Sequence, residues 1–263
     1  MNKLKKILLL SILLLYLVVI ASTITDSRKQ VYCNGLNIEI KDKTRTGFLT
    51  SGEISDIIGK RINVIGMALN KINLKKIEQI LLQNQAINSA ECYITEDGKL
   101  NVLVSHREPV VRIINHSNQG YYLDHEGNIF PLSRHFSPNV IVANGNIYEP
   151  FILKNTKSIF EQNPDSVSVS RHTLYDLLKL ANYIDGDEFW RSQIEQIYVN
   201  DKYEFELIPR VGAHIILLGK ITDYEEKFDN LKTLYFEAFN KSGWNDYIFI
   251  NLKFKDQIVC TKR

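Results

Sequence analysis

The chain has too few cysteines for a disulfide-stabilised protein. Only Cys33, Cys92 and Cys260 occur among its 263 residues, and three cysteines do not form a framework of bridges. A single Cys33–Cys92 bridge is the alternative in an oxidising compartment; otherwise we expect buried or partly exposed free thiols. The remaining composition, 44% hydrophobic and 24% charged residues, is ordinary for a folded globular chain.

An excess of one charge sign is also missing. The formal net charge is +2, and three of the lysines (Lys3, Lys5 and Lys6) lie in the first six residues of the chain. A nucleic-acid-binding protein usually carries a field of basic residues. We therefore expect no nucleic-acid partner.

The sequence lacks the common motifs of catalytic and cofactor sites. It contains no G-x-S-x-G, H-E-x-x-H, C-x-x-C or P-loop. His106, His116, His125 and His135 recur at intervals of nine or ten residues, but no pair has the close spacing that places two metal ligands on one face. The "DHEG" stretch at Asp124 lacks the later oxygen ligands of a calcium loop. We expect no enzyme activity, no cofactor, no metal and no small-molecule substrate.

One long hydrophobic run stands at the N-terminus. The stretch "ILLLSILLLYLVVIASTI", Ile7–Ile24, contains no charged residue and follows the three lysines. About 20 apolar residues in a helix cross a bilayer, and preceding positive charge keeps the N-terminus in the cytoplasm. The run predicts a membrane anchor over residues 7–25, with a cytoplasmic tail over residues 1–6. The residues chosen to represent this anchor are Ile7, Leu13, Leu14, Val18 and Ile24.

The alternative for this run is a cleaved signal peptide. The apolar core of a signal peptide usually has about 7–15 residues, so this run is longer, and "VVIASTI" offers no clear small-x-small cleavage site. Both interpretations place residues 26–263 outside the cytoplasm.

The next stretch predicts a small domain in the order strand, helix, helix, strand, strand. Thr50 or Ser51 is a candidate N-cap for the first helix and Asn73 for the second, while Asp97-Gly98 is a typical hairpin turn. The predicted elements are a strand over Val31–Ile40, a helix in "TSGEISDIIGK", a helix in "NLKKIEQILLQNQ" with Leu74, Ile77, Ile80, Leu81 and Leu82 mostly on one face, and a hairpin in "INSAECYITEDGKLNVLVSHREP".

The rest of the chain predicts strands with helices packed against them, which is an α+β class. Predicted strands are "PVVRIIN", "GYYLD", "NVIVANG", "QIEQIYVN", "YEFELIPR" and "AHIILLGK". A helix in "RHTLYDLLKLANYI" turns Leu174, Leu177, Leu178, Ala181 and Ile184 inward. A second helix has a Thr222–Glu225 capping box, a buried stripe of Phe228, Leu231, Leu234, Tyr235 and Ala238, and an end at Gly243.

The last predicted strand alternates from Ile248 to Phe254. Ile248, Ile250 and Leu252 are expected to face the core. As the last strand of the chain it is expected at a sheet edge, where its backbone groups are unpaired.

Three stretches together resemble one protein family. "LVSHREPVVRI" follows the strand–helix–helix–strand–strand order as in a POTRA domain that runs into a second domain, and "GYYLDHEGNIFPLS" resembles the strand–turn–strand of that second domain. "FINLKFKDQIVC" is similar to its closing strand. With the single N-terminal span, the chain resembles the bacterial cell-division protein family FtsQ, called DivIB in other lineages.

The resemblance implies a domain plan. It consists of a cytoplasmic tail (residues 1–6), a transmembrane anchor (7–25), a POTRA domain (30–108), a C-terminal β-rich domain with a mainly antiparallel sheet (109–259) and a short tail (260–263).

The resemblance also implies a function. A protein of this kind is a non-catalytic scaffold in the cytoplasmic membrane at the division septum. Its implied partners are small single-pass coiled-coil proteins, FtsB-like and FtsL-like, and through them the septal peptidoglycan synthase. Lys253, Phe254, Lys255 and Asp256 align with the part of the closing strand that meets the partner, with Phe254 as the apolar anchor.

Two alternatives remain open from the sequence. Lysines on an edge strand can serve only to prevent aggregation. A POTRA-containing chaperone or secretion factor could also bind extended client segments by strand addition. Such factors usually carry repeated POTRA units, and the absence of an internal repeat favours the division scaffold.

Overall fold

The computed structural model describes residues 9–20, 31–41, 47–133, 135–151, 158–160, 169–239 and 243–263. Contacts between Cα atoms divide the chain into a first unit that ends at His106 and a second unit that begins at Arg107.

Residues 9–20 form a helix, α1, in the predicted anchor. Leu13, Leu14 and Val18 lie on it, and their side chains are more than half exposed; Ile7 and Ile24 fall outside the described residues. Within the described part of the chain, no helix combines the length and apolarity needed to span a membrane.

The first unit has the predicted order of elements. Its elements are β1 (Gly35–Ile40), α2 (Ser51–Gly59), a 3₁₀ turn (Leu69–Lys71), α3 (Leu74–Leu81), β2 (Ile87–Ile94) and β3 (Lys99–His106). Among the described residues they form a three-stranded sheet of order β1-β3-β2, with β1 parallel and β2 antiparallel to β3.

Local signals explain where these helices begin. Thr50 caps α2, because its side chain accepts from the Glu53 N–H while the Glu53 carboxylate accepts from the Thr50 N–H, which is a capping box. Asn73 caps α3 through the Lys76 N–H. The predicted apolar face of α3 is largely correct, with Ile77 and Leu81 buried. Leu82 is 40% exposed, so its assignment to that face is wrong.

The three cysteines are free thiols. Cys33 is buried, and Cys92 and Cys260 are partly buried, so the alternative Cys33–Cys92 bridge does not form. Burial raises the pKa of the Cys92 thiol to about 12, and the Glu78 carboxylate acts in the same direction.

The second unit combines strands and helices in the predicted α+β manner. Its strands are β4 (Pro109–Ile114), β5 (Gly120–Asp124), β6 (Ile129–Pro131), β7 (Ile141–Gly145), β8 (Ile194–Val199), β9 (Phe205–Pro209), β10 (Ile215–Gly219), β11 (Tyr247–Asn251) and β12 (Val259–Lys262). Its helices are α4 (Val169–Gly186), α5 (Glu188–Gln193) and α6 (Tyr224–Thr233), followed by a π-helical turn (Leu234–Phe239).

These strands form one sheet, which we call the second sheet. In the described part of the chain its order is β12-β11-β10-β9-β8-β7-β4-β5-β6, with five antiparallel and three parallel neighbour pairs. One buried cluster joins the sheet to α4 and α6. The inward residues predicted for α4 (Leu174, Leu177, Leu178, Ala181 and Ile184) are all buried.

The predicted start of α6 is wrong. Asp223 precedes the helix in the left-handed conformation and makes no capping hydrogen bond through its side chain, so Thr222 and Glu225 do not form a capping box. The Glu225 carboxylate instead accepts a hydrogen bond from the Tyr224 hydroxyl. The short helix α5 is capped by Asp187, which accepts from the Phe189 and Trp190 N–H groups; the sequence interpretation missed it.

The closing strand is not the edge strand. β12 pairs with β11 on the side away from β10, so residues expected to form a tail after 259 continue into a strand. Ile250 and Leu252 are buried as expected, but Ile248 is 37% exposed. Ile248 therefore does not belong to the core. Among the residues that the structure describes, the open edge of the second sheet runs along β12.

Candidate partner-binding site

The four predicted binding residues lie together in the connection between β11 and β12. Lys253, Phe254, Lys255 and Asp256 are exposed there, beyond the end of the strand to which the sequence assigned them. Phe254 is 49% exposed, a large apolar side chain available for contact. Asp256 has a φ of 60°, in the left-handed region that helps the chain reverse towards β12.

Lys253 is already engaged within the protein. Its Nζ atom lies 3.1 Å from Oε2 of Glu204. Burial alone would raise the pKa of the Glu204 carboxyl group, yet the hydrogen bond and charge of Lys253 keep that pKa below its usual value. Gly219 makes room for the lysine stem, because a Cβ atom at Gly219 would lie 2.7 Å from Lys253 Cγ. Lys253 therefore fixes the connection, and Phe254 and Lys255 remain available to a partner.

A shallow cleft of about 120 Å³ runs beside the same connection. The start of α6 forms its other wall, with Asp223, Glu226 and Lys227 among the lining residues. Lys227 Nζ donates to the carbonyl oxygens of Leu218 and Lys220, and burial lowers the pKa of this lysine. The cleft therefore presents carboxylates and lysines beside the exposed Phe254 ring. They come from the β11–β12 connection and from the start of α6.

Backbone direction shows which groups of β12 point outward. The Leu252 N–H donates to Leu217 of β10, so alternate residues of β11, Phe249 and Asn251, direct their backbone groups towards β12. These two residues pair with Thr261 and Val259. The Arg263 N–H, two residues beyond Thr261, also donates inward, to Asp246.

The intervening residues of β12 therefore face away from β11. Cys260 and Lys262 direct their backbone N–H and C=O groups towards the open edge, where an added strand could pair with them.

Aromatic side chains pack against β11, next to the open edge. The rings of Phe239 and Tyr247 stack with centroids 5.2 Å apart and planes 9° apart, and Trp244 packs against Phe239 and Tyr235. Nε2 of buried His214 lies 2.8 Å from the Tyr235 hydroxyl oxygen. Burial lowers the pKa of His214, so the neutral imidazole is favoured beside these rings.

The opposite edge of the second sheet is closed. β6 has only three residues and ends at Pro131, and Asn128 beside it forms a bridge with Ser158. Asp124 Oδ1 accepts from the N–H groups of Glu126 and Asn128, and Asp124 Oδ2 lies 2.9 Å from a guanidinium nitrogen of Arg107. Short strands and prolines block strand addition at an edge.

Comparison with protein-family models identifies the second unit. Residues 108–261 match the model described as FtsQ/DivIB, C-terminal related. The chain belongs to this FtsQ/DivIB family. Residues 31–105 match the model of the POTRA-like domain, in agreement with the first unit. A search of curated proteins found no match.

Membership of the FtsQ/DivIB family and the POTRA-like match indicate a scaffold role in cell division. The described residues contain no group of three or more His, Cys, Asp or Glu side chains arranged to hold a metal ion. The sequence placed the four predicted binding residues in one region but gave no sign of Glu204, which lies 49 positions before Lys253. Nothing local in the sequence signals that contact, since it depends on the packing of β9 beside β10.

Proposed function

We propose that the protein is a non-catalytic, membrane-anchored scaffold of the bacterial cell-division machinery. In this proposal its extracytoplasmic units bind small single-pass coiled-coil division proteins, FtsB-like and FtsL-like, and through them connect to the septal peptidoglycan synthase. The observation that carries the proposal is the open edge of β12 beside exposed Phe254 in a chain of the FtsQ/DivIB family.

The geometry supports binding by strand addition. The outward backbone groups of Cys260 and Lys262 can pair with an extended partner segment, and Phe254 can insert into an apolar site on that partner. Lys255 can attract a partner carboxylate, which mainly increases the association rate and the specificity. The aromatic cluster around Phe239 and Tyr247 keeps the edge in place before the partner arrives.

The anchor part of the proposal rests on the N-terminal run. Three lysines precede it, and the apolar side chains of residues 9–19 are exposed, which suits a lipid environment. Anchoring confines the protein to the membrane plane and raises its effective concentration near other anchored partners.

A fusion experiment tests the topology. Alkaline phosphatase fused after Lys29 should be active, because that enzyme folds only outside the cytoplasm. The mature protein should also retain Met1 or Asn2 by mass spectrometry. Recovery of a chain that begins near Ser22 would instead establish a secreted protein without an anchor.

A matched pair of phenylalanine variants tests the binding site. Phe254 and Phe160 are 49% and 59% exposed and lie beside the open and closed edges of the same sheet. Phe254→Ala should weaken binding of the FtsB-like segment by about 2 kcal/mol, as expected for an interface hot spot. Phe160→Ala should leave the affinity unchanged.

Affinity and melting temperature should be measured on the same preparations. Unchanged affinity in Phe254→Ala would place the interface elsewhere. Loss of affinity together with loss of folding would assign Phe254 to the fold instead of the partner.

A further inference from the structure

A second cavity lies in the middle of the second sheet, away from the open edge. It has a volume of about 200 Å³, and its walls come from β4, β7, α5, β8 and the segments around Ser137–Val140 and Arg210. In the strand order, β4 and β12 are separated by β7, β8, β9, β10 and β11. This cavity is therefore distinct from the cleft beside Phe254.

Three arginines from separate elements line this cavity: Arg112 on β4, Arg191 on α5 and Arg210 just after β9. Arg112 is half-buried, whereas Arg191 and Arg210 are exposed, so Arg112 lies deepest. Sequence separation of about 80 to 100 positions made this cluster invisible before the fold was known.

The three guanidinium groups have hydrogen-bond donors that are not used by the described residues. Among the described residues, none of the three side chains has a hydrogen bond or an ion pair, and Nε of Arg112 is buried without a partner. A buried donor without an acceptor is unfavourable, because it loses its hydrogen bond to water and gains none in the protein. An oxyanion in the cavity would satisfy it, since the planar guanidinium fork matches carboxylate and phosphate oxygens.

The neighbouring charges select the type of anion. Asp185 and Glu195 also line the cavity, so three cations face two carboxylates, and Asp185 is itself 3.4 Å from the ring nitrogen of His125. Three positive and two negative side chains leave a net charge of only +1 around the cavity. Such a small net charge favours a monoanion over a doubly charged phosphate. Val110, Ile141 and Ile194 add aliphatic wall, which suits a ligand with an apolar stem.

We propose that the cavity around Arg112 is a binding site for a monocarboxylate carried on an aliphatic group. Arg112 binds the carboxylate deep in the cavity, and Arg191 and Arg210 add positive charge at its exposed rim. Two sources share this chemistry, the C-terminal residue of a peptide and an acidic side chain within one. The site is independent of the proposed strand addition at β12.

The test measures binding of radiolabelled N-acetyl-leucine to the purified full-length chain by equilibrium dialysis. A ligand of this size that fits its pocket binds with a roughly millimolar Kd. N-acetyl-leucine amide, which has the same stem without the charge, should not compete. N-acetylglutamic acid α-amide separates the two sources, because stronger competition than N-acetyl-leucine itself indicates an acidic side chain.

Variants connect the binding to the arginines. Arg112→Gln should weaken binding at least tenfold, and Arg61→Gln, which removes the same charge from an exposed position in the first unit, should leave it unchanged. Arg210→Gln should weaken binding several-fold, and it replaces Arg112→Gln as the decisive variant if that chain fails to fold.

Three results would overturn the proposal. They are the absence of saturable binding by the wild-type chain, equal competition by the uncharged amide, and stronger binding of inorganic phosphate than of the carboxylate. Binding that survives both Arg112→Gln and Arg210→Gln would also place the ligand elsewhere.

Discussion

The two edges of the second sheet are built in opposite ways. At β6 the edge is three residues long and ends in Pro131, and the Asp124 carboxylate holds the turn that leads into it. At β12 the edge is exposed, with Val259 42% accessible, and it is supported by stacked aromatic rings. Natural sheets usually protect both edges. One edge left open next to an exposed Phe254 therefore indicates where a partner strand can be added.

The largest effect is expected from a substitution at the closed edge. Asp124→Ala removes the acceptor of two backbone N–H groups and the ion-pair partner of half-buried Arg107. We expect the free energy of unfolding to fall by about 3 kcal/mol, measured by denaturant titration. Asp229→Ala, at an exposed aspartate in the same unit, is the control and should change it by less than about 0.5 kcal/mol.

A loss for Asp124→Ala that is no larger than the control loss would show that Asp124 does not hold the turn before β6. Partner affinity should be unchanged in Asp124→Ala wherever the chain stays folded, since the partner is assigned to β12.

Backbone groups at the open edge provide the second test. Lys262→Pro removes an outward N–H, and an edge strand tolerates proline at such a position. Partner affinity should fall about tenfold, or about 1.4 kcal/mol, and Lys262→Gln should separate this effect from loss of charge. Thr261→Pro removes an N–H that faces β11, so it should lower the melting temperature. Equal affinities for Lys262→Pro and Lys262→Gln would argue against strand addition.

The sequence predicted the first unit well because its signals are local. Thr50 with Glu53, Asn73 as a cap and Asp97-Gly98 as a turn each act within four residues. Gly98 indeed has a φ of 82°, which the turn requires. The helix-facing residues of α4 were equally visible, because burial on one side of a helix leaves a periodic pattern.

The second unit shows where local signals fail. Alternation from Ile248 onward predicts a strand, but it cannot show that the chain reverses near Asp256 and covers that strand with β12. Thr222 and Glu225 have capping-box spacing, yet Asp223 adopts a left-handed conformation and the Glu225 carboxylate binds Tyr224. The Lys253–Glu204 pair and the arginine cavity depend on strand order, which distant packing decides.

Acid should loosen the open-edge side of the sheet. Burial lowers the pKa of His214 in the folded chain, while the unfolded chain protonates near the ordinary value of about 6.5. The contribution of neutral His214 to the free energy of unfolding is therefore fully present above that pH. Below it, the free energy of unfolding decreases by up to about 1.4 kcal/mol per pH unit. Urea titrations at several pH values should show this slope.

His214→Gln should flatten the slope below about pH 6.5, whatever its effect on overall stability. A slope that is identical in the wild-type and His214→Gln chains would remove His214 from this account.

The smallest expected effect concerns the Lys253–Glu204 contact. Both side chains are partly exposed, at 36% and 20%, so solvent screens the pair. Glu204→Gln should reduce the free energy of unfolding by about 0.2–1 kcal/mol. Because Lys253 is then no longer held by Glu204, partner binding should depend less on where the Lys253 side chain lies. Measurement in low and high salt should give a smaller difference between Glu204→Gln and wild type at high salt.

Site-specific photocrosslinking in dividing cells tests whether the partner binds at the open edge of the second sheet. A photoreactive amino acid is placed at Phe254 in one strain and at Phe160 in another, so that both probes replace exposed phenylalanines at opposite edges of the same sheet. We expect the probe at position 254 to crosslink a small single-pass division protein and the probe at position 160 not to do so. Crosslinking of that partner at position 160 alone would contradict the assignment of the open edge as the binding site.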